Sequence, residues 1–372
     1  MFESCDYKKY DNTGSAKLIF FIANKFHFFF SFIDTKTNLV IDFFVAEKSM
    51  VEYSAKMEPF CTKVLLKRMR KHKINIRVLT TDRSGALKTM MKDVNKERET
   101  MGIPPIVHNF DCWHFCKSVA KDLWKAAKLK KCIALGAWIK SVKNQIWYAL
   151  GSCNGNAELL IEMVLAIAQH AAGIHTFPDN KHFKACHHGP LGGVRDKPWL
   201  KVGSLAWKKL DQAIRGVKDS RIKDLHQMTE FQHTSRNEQL HNVHNTYMPK
   251  HTFFGPPQAR VRSALTVIDH NCNVNRPAKK DQDGDVCYDY ALSRDGHTYT
   301  AKPVKEAKNT LWRWQIMEEV VEAVRTGTEP SVQVPTDDHL KVFARPKPSI
   351  VDKAAVVAAT KARSRFRDQS KQ

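Results

Sequence analysis

Two β-rich runs, 26–34 and 39–46, are parted by Thr35-Lys36-Thr37-Asn38, a polar connection of hairpin type. The stretch 18–33 is rich in Phe and Ile, but Asn24, Lys25 and His27 interrupt it. It is shorter than the ~20 apolar residues of a membrane span, and its second half reads as a strand. Over 59–72, Val64, Leu65 and Met69 fall on one side of a predicted helix, with Lys63, Lys67 and Arg70 on others. A strand at 74–81, a helix at 84–94 and a short strand at 106–110 complete a β-α-β alternation. The expectation is an α/β fold, a mixed sheet flanked by helices.

From 113 to about 230 the pattern turns mostly helical. Helices are predicted over 113–131, 132–150 and 158–172, then a loop-rich piece at 177–203 containing Gly189-Pro190-Leu191-Gly192-Gly193, then helices at 206–215 and 220–229. This block reads as an all-helical insertion in the α/β domain. A helix at 238–247 stops at Met248-Pro249, because proline cannot continue it. Further on, 286–290 and 297–300 suggest a small hairpin, and 309–325 an amphipathic helix with Leu311, Trp314, Met317 and Val321 available for packing. Pro330, Pro335, Pro346 and Pro348 mark a linker into a Lys/Arg-rich tail over 341–372, expected to be disordered or partly helical. The division is therefore 1–112 and 231–277 as two parts of one core, 113–230 as the insertion, 278–328 as a small extension and 329–372 as basic linker and tail.

Charge changes the picture. Among 372 residues, 60 Lys and Arg against 38 Asp and Glu give a formal charge of +22, which favours a polyanionic partner, most simply DNA. The bland alternative is a merely basic protein. Nine scattered cysteines do not make a disulfide framework and fit a reducing compartment, nucleus or cytosol. The opening Met1-Phe2-Glu3-Ser4-Cys5-Asp6, with Lys8-Lys9 after it, lacks the apolar core of a secretory signal, and no membrane association is expected.

Candidate chemistry lies at three places. Asp82 closes the run 74–82, Asp111-Cys112-Trp113-His114 follows the next short strand, and Arg236-Asn237-Glu238-Gln239-Leu240-His241 lies on a predicted helix. Phosphoryl transfer on DNA commonly uses two hard cations about 3.5–4 Å apart, held by a few carboxylates. Asp82 is the first candidate ligand; alternatively it caps the helix opening at Ser84. Glu238 shares a helix face with His241, Asn242 and Asn245, a polar stripe that faces either a metal or solvent. Asp111 and His114 are either site residues or a capping Asp with a buried His beneath Trp113.

This order of residues resembles the DDE transposase superfamily, nearest the Kolobok-like and Mutator-like transposases of animal mobile elements, over about 26–277. The resemblance implies an RNase H-like core and metal-dependent DNA strand cleavage and joining. Asp82 and Glu238 would hold Mg²⁺ or Mn²⁺, and Asp111-x-x-His114 would match the family's C/D-x-x-H element. It also implies a nuclear protein whose copies assemble as a homo-oligomer on DNA ends. A first Asp is expected on a strand near 13–23, yet that run holds no acid; Asp11 stands in a turn-like setting and Asp34 precedes a turn. Binding is thus expected to outlast catalysis, leaving a non-catalytic DNA- or chromatin-binding protein as the rival to an enzyme. The THAP zinc finger typical of Kolobok-like elements is not recognisable. The segment 268–276 belongs to the resembled pattern, with Asp269 and His270 structural or serving backbone groups in a loop.

Two further constellations stand apart. Cys153, His175, Cys186 and His188, with His182 and His187 nearby, are a candidate Zn²⁺ site and the basis of a third reading, a zinc-stabilised interaction protein; Cys112, His114 and Cys116 compete weakly. Lys117, Lys121, Lys125 and Lys128 recur at helical spacing and form one basic rail able to follow a phosphate backbone, unless they are simply a solvated face.

Overall fold

The computed structural model describes residues 16–23, 27–189, 197–292 and 299–328; Asp11, the Gly-rich run after Gly189 and the basic tail lie outside them. The fold is mixed α/β. Strands β1 (Ala16–Ala23), β2 (His27–Asp34), β3 (Val40–Glu47), β4 (Ile76–Thr81) and β5 (Val107–Phe110) form a five-stranded sheet in the order β3-β2-β1-β4-β5. The pairs β1–β2 and β2–β3 are antiparallel, whereas β4 runs parallel to both β1 and β5. The apolar stretch 18–33 contributes to two strands, β2 as read from its second half and β1 near the strand that the resemblance implies at 13–23.

Alternation along β2 decides what each sheet face meets. Phe30 and Phe32 pack toward α1 (Met57–Lys71) and α2 (Gly85–Thr100), while Phe29 and Ile33 pack toward α8 (Ser235–Tyr247) and α9 (Pro256–Asn273). On β3 the register shifts opposite Phe32 and Ile33, which switches parity. Val40 therefore joins Val45 on the α8/α9 side although one number is even and the other odd. Helix α2 runs beyond the expected end at 94, and Asn95 brackets the backbone of Ile106 with two 2.8 Å hydrogen bonds.

Helix α3 (Cys112–Ala127) leads into the insertion with α4 (Leu135–Ser152), α5 (Ala157–His170), α6 (Leu205–Arg215) and the short α7 (Ser220–Leu225). These helices share a core of their own, from Phe110 through Val119, Ile146 and Val164 to Met228. A separate core is what an insertion needs in order to fold without borrowing from the sheet. The chain then returns to the sheet through α8, which contacts β1.

Helix α9 was not expected as a helix. Its inward residues are Ala259, Ser263, Thr266, Asp269, His270 and Asn273, mostly polar, so hydrophobic periodicity is faint. The polar groups bind backbone instead. Asn271 accepts from Val40 N at 2.9 Å and donates to Val40 O at 3.0 Å, and His270 Nε2 meets Asn38 O at 3.0 Å. Within 268–276, residues 268–273 lie on a helix rather than in a loop. Beyond it, β6 (Tyr288–Leu292) and β7 (Tyr299–Pro303) form the expected small hairpin, followed by α10 (Leu311–Thr326). In α10 Trp312 is buried, while Leu311, Trp314, Met317 and Val321, expected to pack, are exposed. Among the described residues, no helix is long and apolar enough to cross a membrane.

Candidate nucleic-acid interface and the carboxylate cluster

Strands β4 and β5 run parallel, so their C-terminal ends deliver Asp82 and Asp111 to the same edge of the sheet. Asp82, Asp111 and His114 present ligand-type atoms that all lie within 4.8 Å of one another. Asp82 is exposed and does not cap α2; Ser84 does, accepting from Leu87 N. Asp111 is buried and is the N-cap of α3, accepting from Trp113 N at 2.9 Å and His114 N at 3.3 Å. It also accepts from Thr234 Oγ1 at 2.7 Å and Thr234 N at 3.3 Å, just ahead of α8, and from the His114 ring.

His114 is half-exposed beside Trp113, not buried under it, and its Nδ1 lies between Asp111 Oδ2 and Asp82 Oδ1, the latter at 3.1 Å. Hydrogen bonds to Asp111 and then Asp82 push its pKa up to about 10, against the effect of burial, so the ring is an imidazolium at neutral pH. Burial works to raise Asp111, but the bonds from His114, Thr234 and the Trp113 amide outweigh it and hold the carboxyl below its ordinary range.

Asp82, Asp111 and His114 are a group that could hold a metal ion, and two features weigh against a two-metal carboxylate site. A carboxylate offers about four lone-pair positions, and those of Asp111 are already taken by the donors of Trp113, His114 and Thr234. The His114 ring sits between the two acids, and a cation there would have to displace its proton. Glu238 is exposed on α8, one helical turn past Thr234, and does not join the cluster. Strand β1, Ala-Lys-Leu-Ile-Phe-Phe-Ile-Ala, contains no acid. Asp34 is no substitute: it pairs with Leu18 of β1, whereas the β4 end near Asp82 lies beyond the Ile19–Thr80 pair, and its Oδ2 is held by Thr37 N and Oγ1 at 2.8 and 2.7 Å.

Glu58, in the first turn of α1, is a further acid near the cluster. Burial raises its pKa, the Ser84 hydroxyl lowers it, and the nearby Asp82 charge raises it further. No motif marks it, because it nears Asp82 and Ser84 only through the packing of α1 against α2. Cys112 and Cys116 are buried in the insertion core and stand outside the ligand groups; burial pushes both thiols up, Cys116 to about 12.

The basic rail lies on the same helix that Asp111 caps. Val119, Leu123 and Ala126 of α3 face the insertion core, while Lys117, Lys121, Lys125 and Lys128 are exposed. Lys117 stands over the Trp113 ring at 4.3 Å. Trp124 is 58% exposed beside the rail, a flat apolar surface among cations. Asp122, the one acid of α3, is drawn off by Arg221 at 2.7 Å and touches Lys125 only at 4.0 Å. The far end of the rail enters a groove of about 420 Å³ that Arg83, Lys125, Lys209 and Arg221 help to line.

The candidate zinc ligands come together in part. His175, Cys186 and His188 meet with His170, from the last turn of α5, and not with Cys153. Cys153 is buried at the end of α4, where its thiol donates toward Leu150 O and Thr229 O. His182 binds Glu158 Oε2 at 2.9 Å and His187 binds the Tyr148 hydroxyl at 2.8 Å, so both are engaged elsewhere. A His-x₄-His spacing ahead of Cys-x-His was the signal available for His170. Compared with protein-family models, with curated proteins and with solved structures, the chain finds no match.

Proposed function

We propose that this chain is a transposase-derived, RNase H-like nuclear protein that holds DNA along the exposed face of α3 and does not cut it. The observation carrying the reading is the lysine rail, Lys117, Lys121, Lys125 and Lys128, beside exposed Trp124 on the helix that springs from the sheet's carboxylate edge. A formal charge of +22 supports the same partner. Descent from a DDE transposase is supported by a mixed sheet with β1 at its centre, by Asp82 at the end of β4, and by a helix bearing Glu238 that returns to β1 after a helical insertion. The lysines contact phosphate and carry no sequence information, so binding is expected to be sequence-tolerant. Assembly of several copies on paired DNA ends would come with the same descent.

Strand cleavage is the weaker reading, because Asp111 is saturated with donors and β1 supplies no acid. The test is to titrate the full chain with duplex DNA at rising salt and to incubate it with supercoiled DNA and Mn²⁺. Binding that weakens steeply with salt, without nicking, is expected. Nicking that disappears in both Asp82→Asn and Glu238→Gln would overturn the non-cleaving half of the reading. Salt-independent or undetectable binding would overturn the other half.

A further inference from the structure

The last turn of α5 and the loop that follows it bring three imidazoles and one thiol to a single point. His170 ends α5, and His175 and Cys186 face each other across a narrow turn, with Cys186 N bonded to His175 O at 2.9 Å and Thr176 bridged to Ala185. His188 follows two residues later. The ligand-type atoms of His170, His175, Cys186 and His188 all lie within 4.8 Å of one another. The rings stand nearly perpendicular: His170 to His175 at 84°, His170 to His188 at 82°, His175 to His188 at 88°. Rings stacked for packing alone need not aim nitrogens at a common point; these do.

Two of the spacings match those of a tetrahedral site, and the rest fall within 4.8 Å. With Zn–N of about 2.0–2.1 Å and Zn–S of about 2.3 Å, a tetrahedron sets neighbouring nitrogens roughly 3.3 Å apart and nitrogen from sulfur roughly 3.6 Å apart. His188 Nε2 lies 3.2 Å from His175 Nδ1, and His170 Nδ1 lies 3.4 Å from Cys186 Sγ. His188 Nδ1 donates to Gly189 O at 2.8 Å, which fixes the tautomer and leaves Nε2 bare toward the centre, the usual outer support of a metal-bound imidazole. Trp199 and Trp138 pack edge-on to His170 at 6.1 and 5.9 Å and shield the cluster. A cavity of about 340 Å³ reaches His170, Cys186 and His188 and provides an entry path.

We infer that His170, His175, Cys186 and His188 bind one Zn²⁺ tetrahedrally and that this ion clamps the loop 171–189 to the end of α5. Nitrogen and sulfur ligands at tetrahedral spacing select zinc over magnesium or calcium, which take oxygen. Four protein ligands close the site, so the ion is structural, with no open position for chemistry. Binding converts the Cys186 thiol to a zinc-bound thiolate and releases its proton to solvent. The inference stands whether or not the chain binds DNA.

The test uses the full chain, stripped with a chelator and reloaded with Co²⁺, whose visible spectrum reports geometry and whose thiolate charge-transfer band reports sulfur. One Co²⁺ per chain, tetrahedral bands and a charge-transfer band are expected, all displaced by Zn²⁺. Cys186→Ser should lose the charge-transfer band and His170→Ala the tight stoichiometry, while Cys153→Ser should keep both. Should a ligand variant fail to fold, the wild-type spectrum still decides. An octahedral spectrum, the absence of a sulfur band, or loss of that band in Cys153→Ser would overturn the assignment.

Discussion

Thr234 donates its hydroxyl to the buried carboxylate of Asp111 at 2.7 Å and its backbone N–H to the same group at 3.3 Å, tying the start of α8 to the start of α3. One carboxylate thereby fixes the joint between the sheet edge, the insertion and the returning helix. The same donors compete with any metal ion for the Asp111 carboxylate. Replacing Asp111 by Ala removes a helix cap and strands buried donors, and should cost roughly 2–4 kcal/mol of stability. Asp82→Asn, at an exposed position, should change stability by less than about 0.5 kcal/mol. Chemical denaturation of both variants checks the contrast.

His114 is expected to remain protonated through neutral pH. Its folded pKa is about 10 against an ordinary 6.5, so its contribution to stability is complete below about pH 6.5 and is lost as pH rises toward 10. Nitrogen-15 spectra of the imidazole should show no titration between about pH 6 and 8.5. In Asp82→Asn the midpoint should move down.

His244 behaves oppositely. It is buried against Phe29, ring centroids 4.6 Å apart, and burial followed by the His241 charge lowers its pKa to about 4. Above pH 6.5 the ring is neutral whether the chain is folded or not. As pH falls from 6.5 toward 4 the unfolded chain takes up the proton first, and stability drops, by at most about 3 kcal/mol. His244→Leu should melt at a less pH-dependent temperature over that window, as thermal scans at pH 4.5 and 7 would show.

Asn271 acts as a one-residue surrogate strand for Val40, bonding both of its backbone groups. Asn271→Leu should cost roughly 1–3 kcal/mol by leaving those groups unpaired. Hydrogen exchange at the Val40 amide should accelerate while the Phe30 region stays protected.

Hydrophobic alternation made most elements legible. Phe28 to Ile33 read as a strand because each alternate side chain meets a different layer of helices. The polar helix α9 escaped, since its buried face is built from Ser263, Thr266, Asp269 and Asn273, which carry no apolar period. At the carboxylate edge Asp82, Asp111 and His114 come together because parallel strands end on one side. The sequence could not place Glu238, whose helix is right but whose side chain stays outside the cluster. The zinc candidates show the same limit: Cys153 is a plausible ligand by residue type, and only the packing of α4 reveals that its thiol turns into the core. His170 was hidden in a helix read for its apolar face.

The most direct test of the central claim is the salt dependence of duplex DNA binding by the full chain, compared with a variant in which Lys117, Lys121, Lys125 and Lys128 are all replaced by Gln. Each phosphate contact contributes about 0.9 to the slope of log K against log salt, so the variant's slope should be shallower by roughly 3–4, with its fold unchanged by circular dichroism. An unaltered slope and affinity would show that α3 is merely a solvated face, and the proposed interface would be wrong.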